Sequence, residues 1–188
     1  MRTVRVVDSD HPPIWWYKLP SLDVAGGGSI GGVTDNGVPT LYEWAGGRPG
    51  LQRMIDAFYD RVEHDDLLGA LFPAGVSVAH REHVATWWSE VFGGPADYTR
   101  NLGGYEAMLA HHRDLNITAE QRFRFASLMS LAADDAGLPD DPEFRAALVG
   151  YLEWGTRIAM HNSRPGAEVV ARAPVPRWGW GVAPPYRP

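Results

Sequence analysis

Six apolar residues between positions 51 and 62 constrain the fold of this chain more than any other feature. Leu51, Met54, Ile55, Phe58, Tyr59 and Val62 recur at i, i+3, i+4, i+7, i+8 and i+11. That spacing places all six on one side of an α-helix, whereas a strand would divide them between two faces. A second stripe, His80, Val84, Trp87, Trp88 and Val91, begins just after Ser77, a natural N-cap, and stops before Gly93, Gly94 and Pro95. One histidine thus shares an otherwise apolar face. Thr118 and Gln121 have the spacing of a capping box, so a third helix starts there and buries Phe125, Leu128, Met129 and Ala132 before Gly137 and Pro139 end it. The fourth opens at Asp140 or Asp141 with Pro142 in its first turn, and lines up Phe144, Leu148, Tyr151, Leu152, Gly155, Ile158 and Ala159. Strand alternation is absent throughout. The fold class expected is all-α, with a shorter helical or irregular piece from Gly104 to His112.

Both ends differ from this helical middle. Residues 1–39 mix Pro12, Pro13 and Pro20 with a glycine-rich run from Gly26 to Gly32 and are expected to form an N-terminal extension to a domain at 40–162. Residues 163–188 carry Pro165, Pro174, Pro176, Pro184, Pro185 and Pro188, which exclude helix over most of the tail. Trp178, Trp180 and Tyr186 lie between those prolines, and a free linker seldom holds three large aromatics, so the tail is expected to lie extended against the domain.

Composition removes several functions. Lys and Arg number 17 against 23 Asp and Glu, and a net charge of −6 opposes the phosphate neutralisation on which nucleic-acid binding depends. No apolar run is long enough for a bilayer and no signal core is visible at the N-terminus, so a cytoplasmic protein without a membrane partner is expected. Cysteine is absent, which leaves histidines, carboxylates or a macrocycle to hold any metal.

Few motifs carry chemistry. Gly26, Gly28 and Gly31 spell a dinucleotide-binding pattern, but no strand precedes them and no helix opens after them. No nucleophile elbow, phosphate loop or zinc-protease motif occurs. His80 and His83 are spaced i, i+3 in HREH, yet two ligands do not complete a metal site. His111 and His112 point about 100° apart on a helix, so only one can face a common partner; spacing alone leaves open which, or whether both are surface residues. Tyr59, taken alone, is an ordinary core tyrosine. Together, an inward tyrosine on one helix, a histidine on the next and a histidine after a short connecting segment resemble a haem pocket.

The ordered runs LYEWAGG (41–47), FYDRV (58–62), LFP (71–73), FGGP (92–95), HHRDLNI (111–117) and YLEW (151–154) make residues 40–162 similar to the group II truncated haemoglobins. The resemblance implies a two-over-two helical sandwich around haem b, iron protoporphyrin IX. It selects His112 as the iron ligand, because that family's ligand is followed five residues later by Ile, here Ile117. It also implies Tyr59 and His80 as the distal, catalytic pair and Phe72 as the aromatic against the porphyrin. Val84, Trp87, Met108, Ile117 and Phe125 would line the macrocycle, with Tyr98 and either Arg100 or His83 near the propionates. Three departures stand out: Phe125 where the family usually has a ligand-donating Trp, His83 where many members have a propionate-pairing Arg, and Arg113-Asp114-Leu115 where Ala-Pro-Phe often follows the ligand.

The implied function is binding of O2, NO, CO or peroxide at a His-held iron, with NO dioxygenase or peroxidase-like chemistry as a haem-dependent oxidoreductase. Such turnover needs a reductase, and nothing in the chain binds flavin or nicotinamide. The alternative is a non-enzymatic oxygen carrier or haem-based sensor acting through a protein partner. A third reading is a helical interaction module that has lost haem. Pairing of two copies as a homodimer is also among the expected partnerships, as is direct ligation of the iron by His80.

Overall fold

The computed structural model describes residues 37–167 and 173–181. Most of the N-terminal extension, the glycine pattern at Gly26–Gly31, and Tyr186 lie outside them. Seven α-helices and no strand occur among the described residues: α1 Leu41–Trp44, α2 Gly47–Val62, α3 Val78–Val91, α4 Asp97–Asn101, α5 Gly104–His112, α6 Ala119–Asp135 and α7 Pro142–Asn162, with one 3-10 turn at Gly69–Leu71.

The helix starts follow from capping chemistry. Thr40 and Glu43 close a reciprocal capping box on α1, and Thr118 and Gln121 do the same on α6. Ser77 accepts from the His80 amide to start α3, and Asp141 accepts from the Phe144 amide to start α7, with Pro142 following the cap. α1 was not expected, because four residues are too few to show a period. It folds back on α2 because Gly50 has no side chain: a Cβ there would sit 1.9 Å from the Ala45 carbonyl oxygen. The piece from Gly104 to His112 is a full α-helix.

All six members of the first stripe are buried in α2, which packs against both α3 and α6, while α6 packs against α7. The pair α2/α3 thus lies over α6/α7, the two-over-two sandwich. Phe58, Phe92, Phe144, Met129 and Leu148 fill its centre. Each such side chain contributes about 1.5–3 kcal/mol by leaving water. The later stripe members Gly155, Ile158 and Ala159 are only half-buried.

Two buried charges brace the frame. Glu90 accepts from both the amide and the hydroxyl of Thr99, which fixes α4 against the end of α3. Arg122, 3% exposed, pairs with Glu153 across α6 and α7 at 2.7 Å. Between 173 and 181 the chain is extended. Its Trp178 amide donates to the Val91 carbonyl, the Trp178 indole donates to the Ala147 carbonyl, and the Trp180 indole donates to the Pro39 carbonyl. No helix among the described residues is long and apolar enough to cross a membrane.

Candidate functional site

α5 and the segment after it position His112. Its Nδ1 lies 2.8 Å from the Met108 carbonyl oxygen, one turn earlier. A carbonyl only accepts, so Nδ1 carries the proton and Nε2 keeps its lone pair. The ring is half-buried, whereas His111 is exposed. Burial lowers the affinity of His112 for a second proton, the hydrogen bond to Met108 partly offsets this, and the neighbouring His111 adds to the lowering.

The segment beyond α5 is held tightly. Asp114 and Asn116 adopt left-handed backbone (φ 62° and 47°), which short side chains of this kind tolerate. The Asn116 amide then donates to the Ser163 carbonyl, and the Ile117 amide to the Ser163 hydroxyl at 2.9 Å. Ser163 is fully buried at the end of α7. His112 and Ile117 are therefore tied to α7 by a residue that sequence reasoning assigned to the tail.

On the opposite side, the Tyr59 hydroxyl and His80 Nε2 are 2.8 Å apart, linking α2 to α3. Tyr59 is buried, and burial pushes its hydroxyl well above the ordinary phenol value, slightly offset by Arg81, whose guanidinium lies 5.8 Å from the ring centre. Phe72 meets the rings of both Tyr59 and His80 edge-on, each at 5.8 Å. Sequence reasoning treated His80 as a member of a buried face. The residue is instead exposed, at an open cleft of about 440 Å³ lined also by Glu63, Phe72 and Val76. The reason is its place in the first turn of α3, where the stripe has not yet reached the core. Partial burial, then the charges of His111, His83 and His112, lower the His80 value.

Of the apolar side chains expected to line the macrocycle, Val84, Met108, Ile117 and Phe125 are half-buried. Phe125 packs against Phe58 at 4.7 Å and offers no N–H. Trp87 is more enclosed, at 6% exposure; it stacks on Tyr105 at 6.0 Å and donates its indole N–H to Tyr151. Tyr98, 3% exposed, meets Trp87 edge-on inside the core. His83 lies exposed on another face, in an open cleft of about 330 Å³ shared with Arg48, Thr86 and Asn101. Arg100 pairs with Asp97 at the surface. No group of three or more His, Cys, Asp or Glu side chains among the described residues is placed to hold a bare metal ion.

Compared with known proteins, residues 40–154 match the model of the family described as bacterial-like globin. The chain belongs to the bacterial-like globin family. This globin is 33% identical over 107 residues to the group 2 truncated haemoglobin YjbI of Bacillus subtilis, covering 57% of the present chain and 78% of that protein. It is similar in fold to the haemoglobin of Chloroflexus aurantiacus (TM-score 0.58, 32% identity, 65% of this chain and 98% of the other). It is likewise similar to the truncated oxygen-avid haemoglobin of Bacillus subtilis (TM-score 0.57, 30% identity, 64% and 98%). The resemblance to group II truncated haemoglobins is thereby borne out. Membership makes haem the cofactor of this globin and small diatomic molecules such as O2 its ligands.

Proposed function

We propose that this globin holds haem b through His112 Nε2 and that Tyr59 and His80 form its ligand-stabilising and proton-handling pair, serving NO dioxygenase or peroxidase-like turnover. The observation that carries the reading is the His112–Met108 hydrogen bond, which presents an unprotonated, half-buried Nε2 of the kind an iron takes. The donor set fits the cofactor in two further respects. Val84, Met108, Ile117 and Phe125 would supply an apolar lining for a flat macrocycle, and Tyr59 and His80 bring a linked pair of polar groups from α2 and α3.

When bound, haem supplies an iron that takes up diatomic ligands and exchanges single electrons, for instance in converting NO and O2 to nitrate. The protein's share is electrostatic. If His80 donates through Nε2 to the Tyr59 oxygen, the Tyr59 proton is free to point at a partly negative ligand. If the roles reverse, His80 accepts that proton. One hydrogen bond with two proton arrangements thus allows the pair either to give or to receive a proton at the ligand. Burial keeps Tyr59 neutral, so it remains a donor at every physiological pH. Phe72, edge-on to both rings, holds their orientation.

NO dioxygenase turnover would require a reductase from outside the chain. The ligand assignment is tested by loading His112→Gly and His111→Ala with haem. The first should lose the native Soret band and regain it with added imidazole, while the second keeps it; the opposite pattern would transfer the role to His111. Stopped-flow mixing of the oxygenated protein with NO tests turnover, since an enzyme must reach the ferric state rapidly and be reducible again.

A further inference from the structure

An aromatic file runs from Trp87, a residue expected beside the macrocycle, to the surface through residues that the proposed pocket does not use. Trp87 donates its indole N–H to the Tyr151 hydroxyl at 2.8 Å. The Tyr151 ring meets Trp178 at 5.7 Å and Trp154 at 6.1 Å between ring centres, and those two indoles are 5.7 Å from each other. Trp154 and Trp178 are both half-buried and so reach solvent, whereas Trp87 and Tyr151 are enclosed. On the inner side, Trp87 stacks on Tyr105 of α5, the helix that carries His112. Trp178 sits beyond residue 154, where the family match ends. It is seated deliberately: its amide is bound to Val91, its indole to the Ala147 carbonyl, and Gly150 leaves room for its ring to lie on α7.

We propose that Trp87, Tyr151 and the Trp154/Trp178 pair form a redox relay, and that the pair is a surface site where aromatic donors too large for the pocket, such as bulky phenols, are oxidised. The proposal rests on the peroxidase-like reading of the pocket. The balance is 2 ArOH + H2O2 → 2 ArO• + 2 H2O: the peroxide O–O bond breaks, each phenol gives up one electron and one proton, and the two protons leave in water. The indoles are the stopping points, because an indole ring can lose an electron while keeping its proton. Tyr151 is the bridge. Its hydroxyl accepts from Trp87 and its ring meets Trp178, and burial keeps it a neutral phenol in contact with both stops.

The test uses the full chain loaded with haem and given limiting hydrogen peroxide. Freeze-quench electron paramagnetic resonance with ring-deuterated tryptophan or tyrosine should assign the protein radical to an indole, and peptide mass spectrometry should find added oxygen on Trp178 or Trp154. Trp154→Phe/Trp178→Phe should lower oxidation of a bulky polycyclic phenol at least fivefold while leaving that of a small phenol unchanged. Peroxide consumption with both indoles unmodified and the radical elsewhere overturns the relay but leaves the pocket reading standing. No change in the haem spectrum on adding peroxide overturns the peroxidase-like reading and the relay with it. Should the double variant fail to fold, radical assignment and oxygen mapping in the natural sequence decide alone.

Discussion

Tyr59 and His80 share a single hydrogen bond, so removing them one at a time should have far less effect than removing both. In Tyr59→Phe, His80 Nε2 is released from its 2.8 Å partner and can turn its N–H toward a bound ligand. In His80→Leu, the Tyr59 hydroxyl loses the same partner and keeps its proton for the ligand, because burial holds it neutral. Each single variant therefore retains one donor, and O2 release should quicken only a few-fold. The double variant has none, since Phe125 supplies no N–H in its place. A hydrogen bond to a charged group is worth about 1.5–3 kcal/mol. Its full loss corresponds to roughly 10- to 150-fold faster release. Stopped-flow replacement of O2 by CO measures the four rates, and the cycle isolates the coupling. Strict additivity of the two single effects would show that the donors act independently, and a double variant with natural release would remove both from the ligand's surroundings.

Other perturbations test the frame. Asp141 uses one carboxylate oxygen to cap α7 and the other to accept the Trp44 indole at 2.7 Å, so Asp141→Ala should destabilise the protein by about 2 kcal/mol in urea unfolding, with Trp44→Phe recovering none of the capping loss. Ser163→Ala removes the acceptor for the Ile117 amide in a fully buried place, and should cost about 1–3 kcal/mol and speed haem loss to an acceptor protein. Arg122→Ala should destabilise more than Arg122→Met, since the latter refills the buried volume beside an exposed Glu153; equal losses would make the charge itself the stabilising element. Tyr59, Tyr98, Tyr105 and Tyr151 have hydroxyls raised by burial above their ordinary value of 10. Their folded values exceed their unfolded ones, so this contribution is complete below that value and is lost as the pH climbs toward the raised ones; alkaline absorbance titration should show these phenols ionising only with unfolding.

The helices of the sandwich were legible because each carries its own signals. The α2 stripe, the capping box at Thr118 and the Asp141–Pro142 start are local, and every one appears where the spacing places it. His80 was misjudged because periodicity reports which face a residue occupies, not how deep that part of the helix lies. α1 escaped for lack of length, and its packing depends on a contact between Gly50 and the Ala45 backbone that no sequence period records.

What the sequence determined by itself was the helical class, the capped starts of α3, α6 and α7 and, through the ordered motifs around His112 and Ile117, the family. Between His111 and His112 spacing was silent, since neighbours on one helix are chemically alike until something covers one of them. The family motif pointed to His112, and tertiary structure gave the two different surroundings, by half-burying His112, turning its Nδ1 to Met108 and anchoring the following segment to Ser163 at the end of α7. It likewise brought Trp178 from the far end of the chain onto Tyr151. The physical reason is the same in each case: helix formation is read from contacts a few residues apart, whereas burial and proton placement arise from groups that meet only when the helices pack.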